Sequence, residues 1–206
     1  MRNIDEIVLK IMKTAASNFC QTLDAFNPAM LEDKDTGFCE KNISNQFAYA
    51  FLTGRKEWDP KAYFEVPFLQ NAKSIDHHVD AYVFDNEVGL FIESKRLYQL
   101  QKLREIKDDI ERLDKRTINW ILSNMLVPPK KCPQSVYVLV LADTWEKDIK
   151  EWWETGEFKI GRRKWDREFI KGYICNSVHI KHFRDWEPPK NDLYWLSAIK
   201  EIKVDR

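Results

Sequence analysis

The alternation of apolar and polar positions divides the chain into helix-like and strand-like runs. Within residues 4–26, Ile4, Ile7, Val8, Ile11 and Met12 recur at the spacing of one helical face, and Asn27-Pro28 closes the run. A second helix is predicted over 38–53, with Ile43, Phe47, Ala50 and Phe51 facing inward and Gly54 ending it. "YFEVPF", 63–68, predicts a short strand that Pro67 confines to a sheet edge or a strand end. Two apolar runs on either side of Asp85-Asn86-Glu87 predict a hairpin over 78–95. A charged helix over 97–114 and a more apolar one in "TINWILSNML" follow. "SVYVLVLADTW", 135–145, is continuously apolar, as in a strand covered on both faces. "EKDIKEWWETGEF" predicts a further helix, and two strands are expected near 169–175 and 178–183. Strands interspersed with helices predict an α/β layer structure with a mixed sheet, in a single domain over 1–206.

The hairpin is the anomaly in this pattern. In "VDAYVFDNEVGLFIESKRL", 79–97, strand alternation places Val79, Ala81, Val83, Val88, Leu90 and Ile92 on one wholly apolar face, which belongs against helices. His78, Asp80, Tyr82, Phe84, Phe91, Glu93 and Lys95 share the other. A turn centred between Asn86 and Glu87 sets Asp80 across from Glu93 and His78 across from Lys95, with opposed Cβ atoms roughly 4.5–5.5 Å apart. Two carboxylates so close repel each other unless one stays protonated or a cation lies between them. Oxygen ligands at this spacing suit Mg²⁺, which needs only one or two protein carboxylates. Lys95 lies roughly 7 Å beyond Glu93 on the same face. There an ammonium can orient an attacking water or stabilise charge developing on a phosphate.

Composition narrows the class without naming it. The 206 residues are 44% hydrophobic and 32% charged, as in a globular protein with a substantial interior. No apolar run is long enough for a membrane span, and "MRNIDEIVLKIMK" mixes charge into its apolar residues, unlike a signal peptide. Cys20, Cys39, Cys132 and Cys175 form no CxxC pair, which points to a reduced, cytoplasmic protein. The net charge of zero gives no global attraction to nucleic acid, although a local basic patch would not show in the sum. The cluster Trp145, Trp152, Trp153, Trp165 and Trp186 reads as core packing rather than a platform for bases. Neither a GxGxxG nor a GxxxxGK[ST] loop is present.

The constellation Asp-x12-Glu-x-Lys, laid on a hairpin with one apolar face, resembles the core of the PD-(D/E)XK nuclease superfamily, which includes the restriction endonucleases and Holliday-junction resolvases. The resemblance covers about residues 38–145. It implies a three-layer α/β/α core around a central mixed sheet, restriction-endonuclease-like, with a helical N-terminal extension. Residues 146–206 would then contact substrate or complete the core. By the same resemblance Asp80 and Glu93 bind the metal, the Ser94 carbonyl adds a ligand, and Lys95 is the catalytic lysine. Glu40 matches the glutamate that the family often supplies from a preceding helix. Val79 stands where the eponymous proline would be. The implied activity is Mg²⁺-dependent hydrolysis of phosphodiester bonds in DNA by an endonuclease, with Mn²⁺ as substitute, DNA as partner and a homodimer supplying one site per strand. A catalytically inactive nuclease-fold module binding nucleic acid or a protein stays open as an alternative. So does action on RNA or on branched or single-stranded DNA.

Other candidates are secondary. "KIGRRKW", 159–165, offers Arg162, Arg163 and Lys164 for phosphate contacts that position a duplex without reading it. His77 and His78 point to opposite sides of their strand, and His179 and His182 do likewise. Neither pair can chelate one ion. Asp76 reads as a solvated carboxylate, and Gln99 and Gln101 match an exonuclease-like glutamine only loosely.

Overall fold

A computed structural model describes residues 3–25, 41–68, 77–97, 100–125, 132–156, 159–160, 163–164, 167–180 and 193–205. In chain order the elements are α1 (Ile4–Ala25), α2 (Lys41–Gly54), β1 (Lys61–Phe68), β2 (His77–Phe84), β3 (Val88–Arg96), α3 (Leu100–Arg112) and α4 (Lys115–Asn124). They continue with β4 (Ser135–Thr144), α5 (Lys147–Thr155), the short β5 (Lys159–Ile160) and β6 (Arg163–Lys164), β7 (Ile174–Ile180) and β8 (Leu193–Ile202). Six strands form one sheet in the order β1-β2-β3-β4-β8-β7. Only β3 and β4 run parallel, and the other neighbours are antiparallel. The chain is therefore α/β with a mixed sheet. No described helix is long and apolar enough to cross a membrane.

Helices cover both faces of the sheet. On one side Val8, Met12, Phe19, Ile43, Phe47 and Phe51 of α1 and α2 pack on Ala81, Val83, Leu90, Ile92, Leu139 and Trp195. On the other, Leu103 and Ile106 of α3 and Trp152 and Trp153 of α5 meet Val140, Ala142 and Leu196. Beside them Ile118 and Ile121 of α4 cover Tyr82, Phe84, Phe91 and Val138. The continuous apolar run of β4 is thus explained: its alternate residues enter opposite cores. The two tryptophans of α5 are fully buried, and the Trp153 indole N–H donates to the Ser197 carbonyl at 2.8 Å. Trp165 and Trp186 lie outside the described residues.

Local chemistry sets several boundaries. Asp114 caps α4 by accepting from the Thr117 N–H at 2.7 Å. Gly156, at φ 77°, ends α5, its N–H bonded to the Trp152 carbonyl. Two expectations at the C-terminal end need correction. In place of two strands near 169–175 and 178–183, the described residues up to 180 form one strand, β7, after a 3-10 turn at Glu168–Ile170, and 181–183 lie outside the described residues. The apolar run that opens at Leu193 adds β8, an unforeseen strand, between β4 and β7. The C-terminal third therefore completes the sheet.

The second face of the β2–β3 hairpin is also core. Tyr82 stacks on Phe91 with ring centroids 4.2 Å apart and on Phe84 at 4.9 Å. Gly89 makes room for this stack, because a Cβ there would fall 2.8 Å from the Tyr82 hydroxyl oxygen and 2.9 Å from Pro133 Cγ. Gly89→Ala is expected to lower stability by about 1–3 kcal/mol, the usual penalty of overpacking, as read by urea denaturation.

Candidate metal and phosphodiester site

The hairpin register matches the sequence expectation over its paired length: Ala81 opposes Ile92, Tyr82 Phe91, Val83 Leu90 and Phe84 Gly89. A buried ion network holds that register. Asp85 accepts from the Glu87 and Val88 N–H groups at 2.7 and 2.9 Å, closing the turn. Arg55, just beyond α2, pairs through Nε with the same carboxylate and through Nη2 with Glu87 Oε2 at 2.8 Å. Its guanidinium also lies over the rings of Phe51 and Trp58, at 5.7 and 5.5 Å.

The ladder stops at Ala81–Ile92, one position short of Asp80 and Glu93. The expected direct opposition of His78 and Lys95 therefore lies beyond the paired residues. In place of a main-chain bond, Asp80 Oδ2 accepts from the Ser94 N–H and hydroxyl, both at 2.7 Å. The adjoining β1–β2 ladder is interrupted at the same level. Phe64 pairs with Ala81 and Val66 with Val79, which leaves Glu65, at φ 51°, facing Asp80 without regular pairing. A left-handed residue inside a strand is strained unless its surroundings impose it. Its effect on direction is visible: Ala81 and Val83 enter the α1–α2 core, but Val79 enters the one under α4. The expected wholly apolar face is therefore broken at Val79, next to the level where the β1–β2 ladder is interrupted between Glu65 and Asp80.

Glu93 and Lys95 follow Phe91 on the α3–α4 side of the sheet. Glu93 is buried, at 5% exposure, and among the described residues no hydrogen bond to its carboxylate is found. Burial first, and the charge of Asp80 second, push its pKa from 4.5 up to about 8, with Lys95 and Arg112 pulling the other way and Glu65 adding to the rise. A buried carboxyl without donors beside a second carboxylate is the environment a cation would relieve. Mg²⁺ takes oxygen ligands and needs few from protein, so the pair Asp80 and Glu93 fits it chemically. The Ser94 carbonyl fits as well. A residue's N–H and C=O point to the same strand edge, and the Ser94 N–H is turned to Asp80 at the opened edge. Among the described residues, no three His, Cys, Asp or Glu side chains form a ready metal cluster.

Lys95 is not directed at open solvent. Its ammonium lies 3.0 Å from Asp109 Oδ2 on α3, and Arg112 pairs with Asp109 Oδ1. Sequence analysis gives Asp109, Arg112 and Glu65 no role, since the first two lie among the many charges of a charged helix and the third within a short edge strand. A signal for Asp109 was present: it falls three residues after Ile106 and beside Ile110, on the buried edge of the α3 stripe.

Glu40, Arg162, Asp76, Gln99 and His182 lie outside the described residues. Of Arg163 and Lys164 only the backbone is described, in the two-stranded β5–β6 ribbon. Lys41, next to Glu40, pairs with Glu65 at 2.9 Å, so the start of α2 does reach the interrupted level of β1. His77 stacks on Phe68 and His179 on Tyr194. Comparison with protein families, with curated proteins and with solved structures finds nothing that matches this chain.

Proposed function

We propose that this chain is a metal-dependent nuclease that hydrolyses phosphodiester bonds in DNA, built on a restriction-endonuclease-like core. The observation that carries the reading is Glu93: a buried, donorless carboxyl beside Asp80, where the β2–β3 ladder opens, with the Lys95 ammonium two residues on. Structural carboxylates are normally buried with donors, and this one has none among the described residues. Asp80, Glu93 and the Ser94 carbonyl would hold Mg²⁺, or Mn²⁺ in its place. The bound ion would supply neutralisation of the scissile phosphate and a water of lowered pKa. Lys95 contributes a fixed positive charge that orients the nucleophile and opposes charge growth on the phosphate. Glu40 is the expected supporting carboxylate, and Arg162, Arg163 and Lys164 the expected backbone grip. Cleavage of both strands as an endonuclease would need two copies, each with one site.

The test is cleavage of plasmid and of single-stranded DNA in Mg²⁺ and in EDTA. Cutting should require the ion, and Asp80→Ala and Lys95→Ala should each lower the rate at least a hundredfold. Undiminished cutting by either variant overturns the mechanism. A catalytically silent module on the same scaffold would instead show no cutting and no rise in melting temperature with Mn²⁺.

A further inference from the structure

We propose that Asp109 of α3 is a positioning residue: it holds the Lys95 ammonium beside Glu93, and Arg112 in turn holds Asp109. The inference rests on the nuclease reading for its catalytic consequence but not for the contact itself. Lysine has a long, rotamer-rich side chain, and an ammonium is a point charge with no fixed direction. Something must restrain it if it is to act at one place. Lys95 is on β3, near the end, where the strand keeps β4 as its neighbour after β2 has peeled away. The restraint comes from across the layer. Asp109 gives one oxygen to each cation, Oδ2 to Lys95 at 3.0 Å and Oδ1 to Arg112 one helical turn later.

Asp109 itself is buried, at 5% exposure, and Lys95 and Arg112 reach it from partly exposed positions. Lys95 and Asp109 meet at ion-pair distance, without an aligned hydrogen bond to Oδ2.

The attachment of α3 to the sheet does not depend on this bridge, since Leu103 and Ile106 bury against Val140 and Ala142.

The experiment compares wild type, Asp109→Asn and Asp109→Glu in the full chain. Lysine reactivity is read by amine acylation and mass spectrometry, with exposed Lys107 as internal reference. Mn²⁺ affinity and steady-state cleavage are measured in parallel. Asp109→Asn should raise Lys95 labelling at least fivefold over Lys107, leave Mn²⁺ affinity within about threefold, and lower kcat at least tenfold with little change in KM. Asp109→Glu should restore much of both. Unchanged Lys95 labelling in Asp109→Asn overturns the inference. So does a general rise in labelling with a large fall in melting temperature, which marks a structural role only. If wild type cuts no nucleic acid, the nuclease reading fails, while the labelling still decides whether Asp109 restrains Lys95.

Discussion

Metal-free protein is expected to lose stability as pH rises from about 5 to about 8, and Glu93→Gln is expected to remove that loss. In the folded chain the Glu93 carboxyl titrates at about 8 because it is buried beside Asp80, against 4.5 for the free group. Between those values the folded protein holds a proton that the unfolded chain has released. Its contribution is fully present below about pH 4.5 and is lost as pH passes about 8. At about 1.4 kcal/mol per pH unit the whole span comes to roughly 4–5 kcal/mol, and relaxation of the site reduces it. Glutamine keeps the shape without the ionisation. In EDTA at pH 8.5 the variant should therefore melt several degrees above wild type, and at pH 5 the two should agree within about 1 kcal/mol. Wild type and variant share every other group, so the difference between them isolates Glu93.

Divalent ion should reverse the order. A cation beside Glu93 displaces its proton, so Mn²⁺ affinity should rise by up to about tenfold per pH unit until Glu93 is ionised. Wild type gains melting temperature with Mn²⁺ at pH 8 and Glu93→Gln does not. A wild-type melting curve flat in pH, or a variant weaker at pH 8.5, would show that Glu93 is ionised and satisfied in the apo state. The metal reading would then lose its main support.

Features of this site set by local chemistry are legible in the sequence, and those set by distant strands are not. Hairpin register followed from the turn residues and the period of two, both local, so it emerged correctly over Ala81–Phe84. The end of the ladder did not, because it depends on a third strand. Glu65 in β1 adopts positive φ opposite Asp80, and no pattern in "YFEVPF" marks that. Periodicity therefore put Val79 on the wrong face. The helices α1 and α2 were legible from their apolar stripes, and β4 from its two-faced run. Strand β8 was missed because its apolar run is shorter than that of β4 and lies between a charged, proline-containing segment and the charged "KEIK". Asp109 was missed for another reason. A carboxylate among many on a charged helix acquires meaning only when the partner ammonium comes from a distant strand.

Arg55→Ala is expected to cost about 3–5 kcal/mol, the usual result of leaving a buried charge without its partner. Asp85 is 1% exposed, and its carboxylate would keep only the Glu87 and Val88 N–H groups once the guanidinium is gone. Adding Asp85→Asn to Arg55→Ala should recover part of the stability at pH 8, since the amide needs no counter-charge. Urea denaturation of both variants checks this, and a loss below about 1 kcal/mol would place the network at the surface energetically. The consequence reaches the site as well. The turn at Asp85 sets the register that brings Asp80 to the level of Glu93 and Ser94. A loosened turn should therefore weaken Mn²⁺ binding even where the protein stays folded. Arg55 touches neither carboxylate of the site, so that loss would be the register acting at a distance.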